Sequence, residues 1–96
     1  VAVPTAQVHP FAVEETWPRA IGGREMDTYH RWMEVVVPWT LAGCPALSIP
    51  AGFSARGLPV GLQLVAAPRA DAALLGLGKA YEEAAADVLA RTPSMP

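Results

Sequence analysis

Val1-Ala2-Val3-Pro4 reads as the end of a buried strand that Pro4 stops. Apolar and polar positions then run without a sustained period from Thr5 to Gly23, a stretch broken by Pro10 and Pro18, and predict a long surface loop. The period changes at Asp27. Tyr29, Trp32, Met33, Val36 and Val37 recur at three- and four-residue spacing, which predicts an amphipathic helix from about Asp27 to Leu41 with Asp27 as its cap. Pro38 has no amide hydrogen to give, so it should kink this helix or start a second short turn, and Gly43 followed by Pro45 should close it.

Two strand-like runs follow, Ala46-Leu47-Ser48-Ile49-Pro50 and Val60-Gly61-Leu62-Gln63-Leu64-Val65, with the turn-rich residues 52–57 between them. So close a connection predicts an antiparallel hairpin across Ala46 to Val65. Pro50 and Pro59 each lack a ladder donor and belong at a strand end or a sheet edge. From about Asp71 to Ala86 a second helix is predicted, capped by Asp71, with Leu74, Leu77, Gly78, Tyr81, Ala85 and Val88 on one face toward the hairpin. Glycine costs about 1 kcal/mol against alanine inside a helix, so Gly78 suggests a close approach to the sheet. The fold class is α/β: a small mixed sheet, containing the antiparallel hairpin, covered by two helices. Residues 1–96 form one unit, with 1–25 mostly extended loop and 91–96 a polar tail expected to fray.

Composition adds a tension. The 96 residues are 52% hydrophobic and 17% charged, apolar for so short a chain, and some of that surface is expected to lie against a partner. The first residue is valine, which favours a piece of a longer protein. Seven basic and nine acidic residues, scattered and summing to −2, argue against nucleic-acid binding. Every apolar run is too short to span a membrane, and the single Cys44 fits a reducing compartment, so the expected location is the cytoplasm.

Candidate chemistry is sparse. Ser48 sits between two large apolar neighbours outside any Gly-x-Ser-x-Gly elbow and reads as structural. Cys44, with His9 and His30 upstream, matches no thiol-enzyme signature and reads as a small buried residue. His30 should interact with Glu34 one turn on. Paired-ligand and phosphate-loop spacings are both missing, so no catalytic residue, metal site or cofactor is expected. Of the three tryptophans, Trp32 reads as core, whereas Trp39, at the helix break, is placed to wall a pocket.

The segments Met26-Asp27-Thr28-Tyr29, Arg31-Trp32-Met33, Pro38 through Phe53 and Gly57 through Val65, closing on 71–75 and 80–82, resemble the carboxy-terminal end of amidase signature enzymes. The most specific feature is Gly-x-Pro-Ala-x-Ser-x-Pro-x-Gly-Phe followed at short distance by Gly-Leu-Pro-x-Gly-Leu-Gln-Leu. The resemblance implies amide hydrolysis or transamidation by a serine activated through a second serine and a lysine, all of them upstream of this segment. It makes the chain part of a larger core fold, with the amino-terminal remainder of the amidase as its partner and a small-molecule amide as the parent's substrate. Neither Ser48 nor Lys79 corresponds to the family's catalytic residues. By position, Val36, Trp39 and Thr40 would face the acyl side of the substrate funnel, Thr40 standing where relatives often carry Asn or Thr. The chain alone is then expected to be inactive and to self-associate as a homodimer. The alternatives are a free-standing interaction module and, more weakly, a Cys44-dependent hydrolase.

Overall fold

The computed structural model describes residues 1–92, and the predicted tail lies outside the described residues from position 93 onward. A three-stranded sheet organises the molecule. Strand β1 (Ala2–Pro4) ends at its proline, as predicted, but it is an edge strand with Ala2 and Pro4 exposed and Val3 half-buried, not a buried one. Two short strands, β2 (Ala20–Ile21) and β3 (Arg24–Glu25), form a minimal antiparallel hairpin through Gly22 and Gly23 inside the region read as loop. That Gly-Gly pair between short runs is a two-residue hairpin signal, too brief to register as a period. The predicted hairpin comprises β4 (Ala46–Phe53) and β5 (Pro59–Val65), paired antiparallel from Ala46↔Val65 to Phe53↔Pro59 with a bulge between Pro50 and Gly52. The strand order is β1-β5-β4. Pro59 therefore opens its strand and Pro50 lies on an edge strand, where a missing donor is tolerated. The sheet is antiparallel throughout rather than mixed, because β1 also runs against β5, with Val3 opposite Gln63.

The first predicted helix is divided. A single 3-10 turn spans Arg31–Met33, residues 34–36 form a turn, and α1 occupies only Val37–Leu41. Pro38 falls in the first turn of α1, where its missing hydrogen is harmless, which is the second of the two outcomes expected of it. Asp27 caps nothing, and its carboxylate instead accepts from the Arg31 guanidinium. The exit of α1 follows the prediction. Gly43 turns left-handed at φ 67, its amide donates to the Thr40 carbonyl at 3.1 Å, and the Cys44 amide donates to that of Trp39 at 3.0 Å. These two bonds are the Schellman pairing that satisfies the last carbonyls of a helix.

Helix α2 covers Asp71–Ala84, and after a break at Ala85 the short α3 covers Ala86–Leu89. Ala70, not Asp71, is the capping residue, and Asp71 lies in the first turn, where its charge suits the helix dipole. By register, Leu47 and Ile49 share a sheet face with Leu64 and Leu62. Gly78 packs on that face: a Cβ placed there would lie 2.5 Å from Leu47 Cδ2. The close approach inferred from the sequence is thus the contact that seats α2. Tyr81 adds a hydrogen bond from its hydroxyl to the Pro50 carbonyl, and the Arg91 guanidinium stacks 3.6 Å from the Phe53 ring centre.

The core is small. Met26, Ile49, Val65 and Leu74 are the buried large apolar side chains, while Leu75 and Leu77 of α2 remain 64% and 53% exposed. Among the described residues, no large side chain is completely enclosed.

Candidate functional site

Helical spacing brings the three residues singled out from the sequence onto one side of the α1 segment, since Val36 precedes Trp39 by three positions and Thr40 by four. Val36 is the capping residue of α1 and half-buried, Trp39 is half-buried, and Thr40 is exposed. Trp39 is fixed by its ring nitrogen, which donates to the Val35 carbonyl at 2.8 Å. The Val35 amide donates in turn to the side-chain carbonyl of Gln7, 28 positions earlier, at 2.9 Å. Gln7 escaped the sequence reading because nothing in a structureless segment marks which glutamine folds back on a turn so far along the chain.

Beside this segment a cleft of about 500 Å³ is lined by Thr28, His30, Arg31, Glu34, Val37 and Pro38. Its charges neutralise one another. Arg31 binds Asp27 and approaches Glu34 at 3.6 Å, and Glu34 also pairs with Arg24 at 3.1 Å. The hydrogen bond from Arg31 holds the Asp27 carboxyl below the ordinary aspartate range, with Coulombic attraction to the same guanidinium adding to it, and Asp27 raises the Arg31 pKa in return. The arginines therefore occupy Glu34, the partner expected for His30, and the His30 ring meets Tyr29 edge-on instead.

Aromatic side chains continue outward from this turn. Trp32 meets Phe11 and Tyr29 edge-to-face with ring centres 5.8 and 6.0 Å apart, and Tyr29 meets Trp17 at 6.0 Å. Trp17 is anchored by its indole N–H to the Met26 carbonyl at 3.0 Å. Trp32 is half-buried, less enclosed than its predicted core role, because the residues around it are themselves part of the surface segment. Its indole nitrogen and Gln63 Nε2 are buried donors without a partner among the described residues.

For hydrolytic chemistry the described residues offer little. Ser48 lies on the exposed side of β4 with its hydroxyl 3.4 Å from that of Thr5, so its neighbour is another hydroxyl and not a base. Cys44 is half-buried at the exit of α1. Among the described residues no three His, Cys, Asp or Glu side chains cluster in a way that would hold a metal ion, and no helix is long and apolar enough to cross a membrane.

Comparison with known proteins adds what the geometry lacks. The family described as Amidase matches residues 1–75. The chain is 47% identical over 62 residues to a glutamyl-tRNA(Gln) amidotransferase subunit from Synechococcus sp. (strain RCC307), covering 65% of this chain and 13% of the relative. With the corresponding subunit from Myxococcus xanthus (strain DK1622) identity is 40% over 79 residues, covering 82% and 15%. The fatty acid amide hydrolase of Medicago truncatula is 42% identical over 62 residues, covering 65% and 10%. The chain thus spans at most about a sixth of the length of these curated relatives. No solved structure matches it.

Proposed function

The chain belongs to the amidase family, and from that membership we propose that it is the carboxy-terminal portion of an enzyme acting on carboxylic amide C–N bonds, as a hydrolase or as an amidotransferase subunit. The single observation that carries this reading is the family match over residues 1–75, supported by relatives of both kinds. Residues 1–96 act as one unit that completes the parent's core and supplies part of its substrate funnel. Nucleophile, proton shuttle and oxyanion donors come from the amino-terminal remainder, since the chain itself has no Gly/Ser-rich signature. The enzyme works in the cytoplasm on a small-molecule amide.

Within that enzyme the α1 segment contributes binding. Val36 and the Trp39 ring give an apolar wall to the acyl side, and the exposed Thr40 hydroxyl offers a hydrogen bond to the amide group. The test compares the complete enzyme with the 96-residue chain in release of ammonia from short aliphatic and aromatic amides. Turnover is expected from the first and none from the second. Turnover by the chain alone that survives repurification and disappears on Ser48→Ala or Cys44→Ala would overturn the proposal.

A further inference from the structure

The junction before α1 is held open by two side chains that take the place of helical hydrogen bonds. In a continuous α-helix the Val35 amide would donate to the Arg31 carbonyl and the Val35 carbonyl would accept from the Trp39 amide. Here the Arg31 carbonyl receives the Glu34 amide at 3.4 Å, in the tighter 3-10 pattern. The Val35 amide turns to Gln7 Oε1 at 2.9 Å, and the Val35 carbonyl receives the Trp39 indole at 2.8 Å. Both hydrogen bonds are partly buried, so water competes for them less than at an open surface. Val36 then bonds back to the Met33 carbonyl at 3.0 Å, and Pro38 needs no acceptor at all. Gln7 is thus the side-chain acceptor that fixes the turn to which the Trp39 ring is tied.

We propose that Gln7 is a positioning residue for Trp39: through the Val35 peptide groups it sets where the indole stands, and thereby how the acyl portion of an amide substrate binds. This rests on the reading of Trp39 as a wall of the substrate funnel. Gln7 does not line the cleft beside α1. Its loss leaves a partly buried amide unsatisfied and frees the turn at 34–36 to rearrange, which shifts the ring while leaving the upstream catalytic groups in place.

The experiment uses the complete enzyme with Gln7→Leu, which keeps the size but removes the acceptor, and Gln7→Glu, which keeps an acceptor oxygen. Two readouts are taken. The first is the Trp39 indole resonance in protein labelled with 15N-tryptophan, assigned through Trp39→Phe. The second is kcat and KM for hexanamide and benzamide. Gln7→Leu is expected to shift the Trp39 indole signal and raise KM roughly three- to tenfold, with kcat within about twofold, as for a lost hydrogen bond outside the reacting centre. Gln7→Glu should return both toward the unaltered enzyme. An unmoved indole in Gln7→Leu overturns the link between Gln7 and Trp39. A moved indole with unchanged KM overturns its role in binding. If the unaltered enzyme hydrolyses neither amide, the functional reading fails for these substrate classes, and the binding role falls with it. The indole response then judges the Gln7 to Trp39 link by itself.

Discussion

Gly76 and Gly78 stand two positions apart on α2 yet answer to different constraints. A Cβ at Gly76 would meet nothing within 4 Å, whereas one at Gly78 would come within 2.5 Å of Leu47 Cδ2. Gly76→Ala should therefore stabilise the fold by about 1 kcal/mol, the ordinary helix preference of alanine. Gly78→Ala gains the same preference but displaces the end of the Leu47 side chain, an overpacking cost of roughly 1–3 kcal/mol. Gly78→Ala should therefore have the lower urea midpoint of the two, and a Gly78→Ala midpoint as high as that of Gly76→Ala would show that Leu47 moves freely. At Asp27 the relevant variable is pH. Its pKa in the folded chain is depressed by Arg31, so the pair's contribution is present above the unfolded aspartate pKa and is lost as pH falls through the folded value. The carboxyl carbon of Asp27 should titrate below the usual aspartate range by NMR, and Arg31→Met should move that midpoint up.

The elements differ in how much of them could be read from the sequence. The β4–β5 hairpin was legible because apolar runs, turn residues and two edge-tolerant prolines agreed. The close approach at Gly78 was legible for the same reason, but of the face read toward the hairpin Leu77 is 53% exposed. The division before α1 was only half legible. Pro38 announced a break, but the apolar spacing of Tyr29, Trp32, Val36 and Val37 fits a continuous helix equally well, and the bond from the Val35 amide to Gln7, distant in sequence and close in space, has no local signal. The Asp27 cap failed because no helix starts beside it: the first helical turn begins at Arg31, and the Asp27 carboxylate pairs with that guanidinium. For the candidate site, Val36, Trp39 and Thr40 were singled out by their position in the resemblance to amidase signature enzymes, while the indole bond that fixes Trp39 was beyond any local pattern. The seat of α2 on β4 gives a test at this scale. Tyr81→Phe removes the bond to the Pro50 carbonyl and should lower stability by about 0.5–1 kcal/mol in chemical denaturation, and faster amide exchange should follow in 79–89 before the rest of the chain.

For the whole molecule, exposed apolar surface outweighs the core. Leu41 is 82% exposed and Leu75 64%, and both outer strands, β1 and β4, present open edges in the described sheet. Such surface favours association. The isolated chain is expected to self-associate, most simply as a two-fold dimer, and sedimentation at dilute concentration checks this. A compact monomer with slow exchange in both hairpin strands would favour a free-standing interaction module.

The order β1-β5-β4 also has a kinetic consequence. The central strand is the last of the three in the chain, and β1 reaches it across 64 positions, from Val1 to Val65, while β4 needs only the turn at 54–58. Closing the longer loop costs roughly 2 kcal/mol more, so the hairpin should form first and β1 should dock late as a latch. A latch held by so few residues depends on staying covalently tied. In the isolated 96-residue chain, one proteolytic cut in the exposed stretch 12–16 would leave β1 on a short peptide held to β5 only by noncovalent contacts, free to diffuse away from an otherwise intact hairpin.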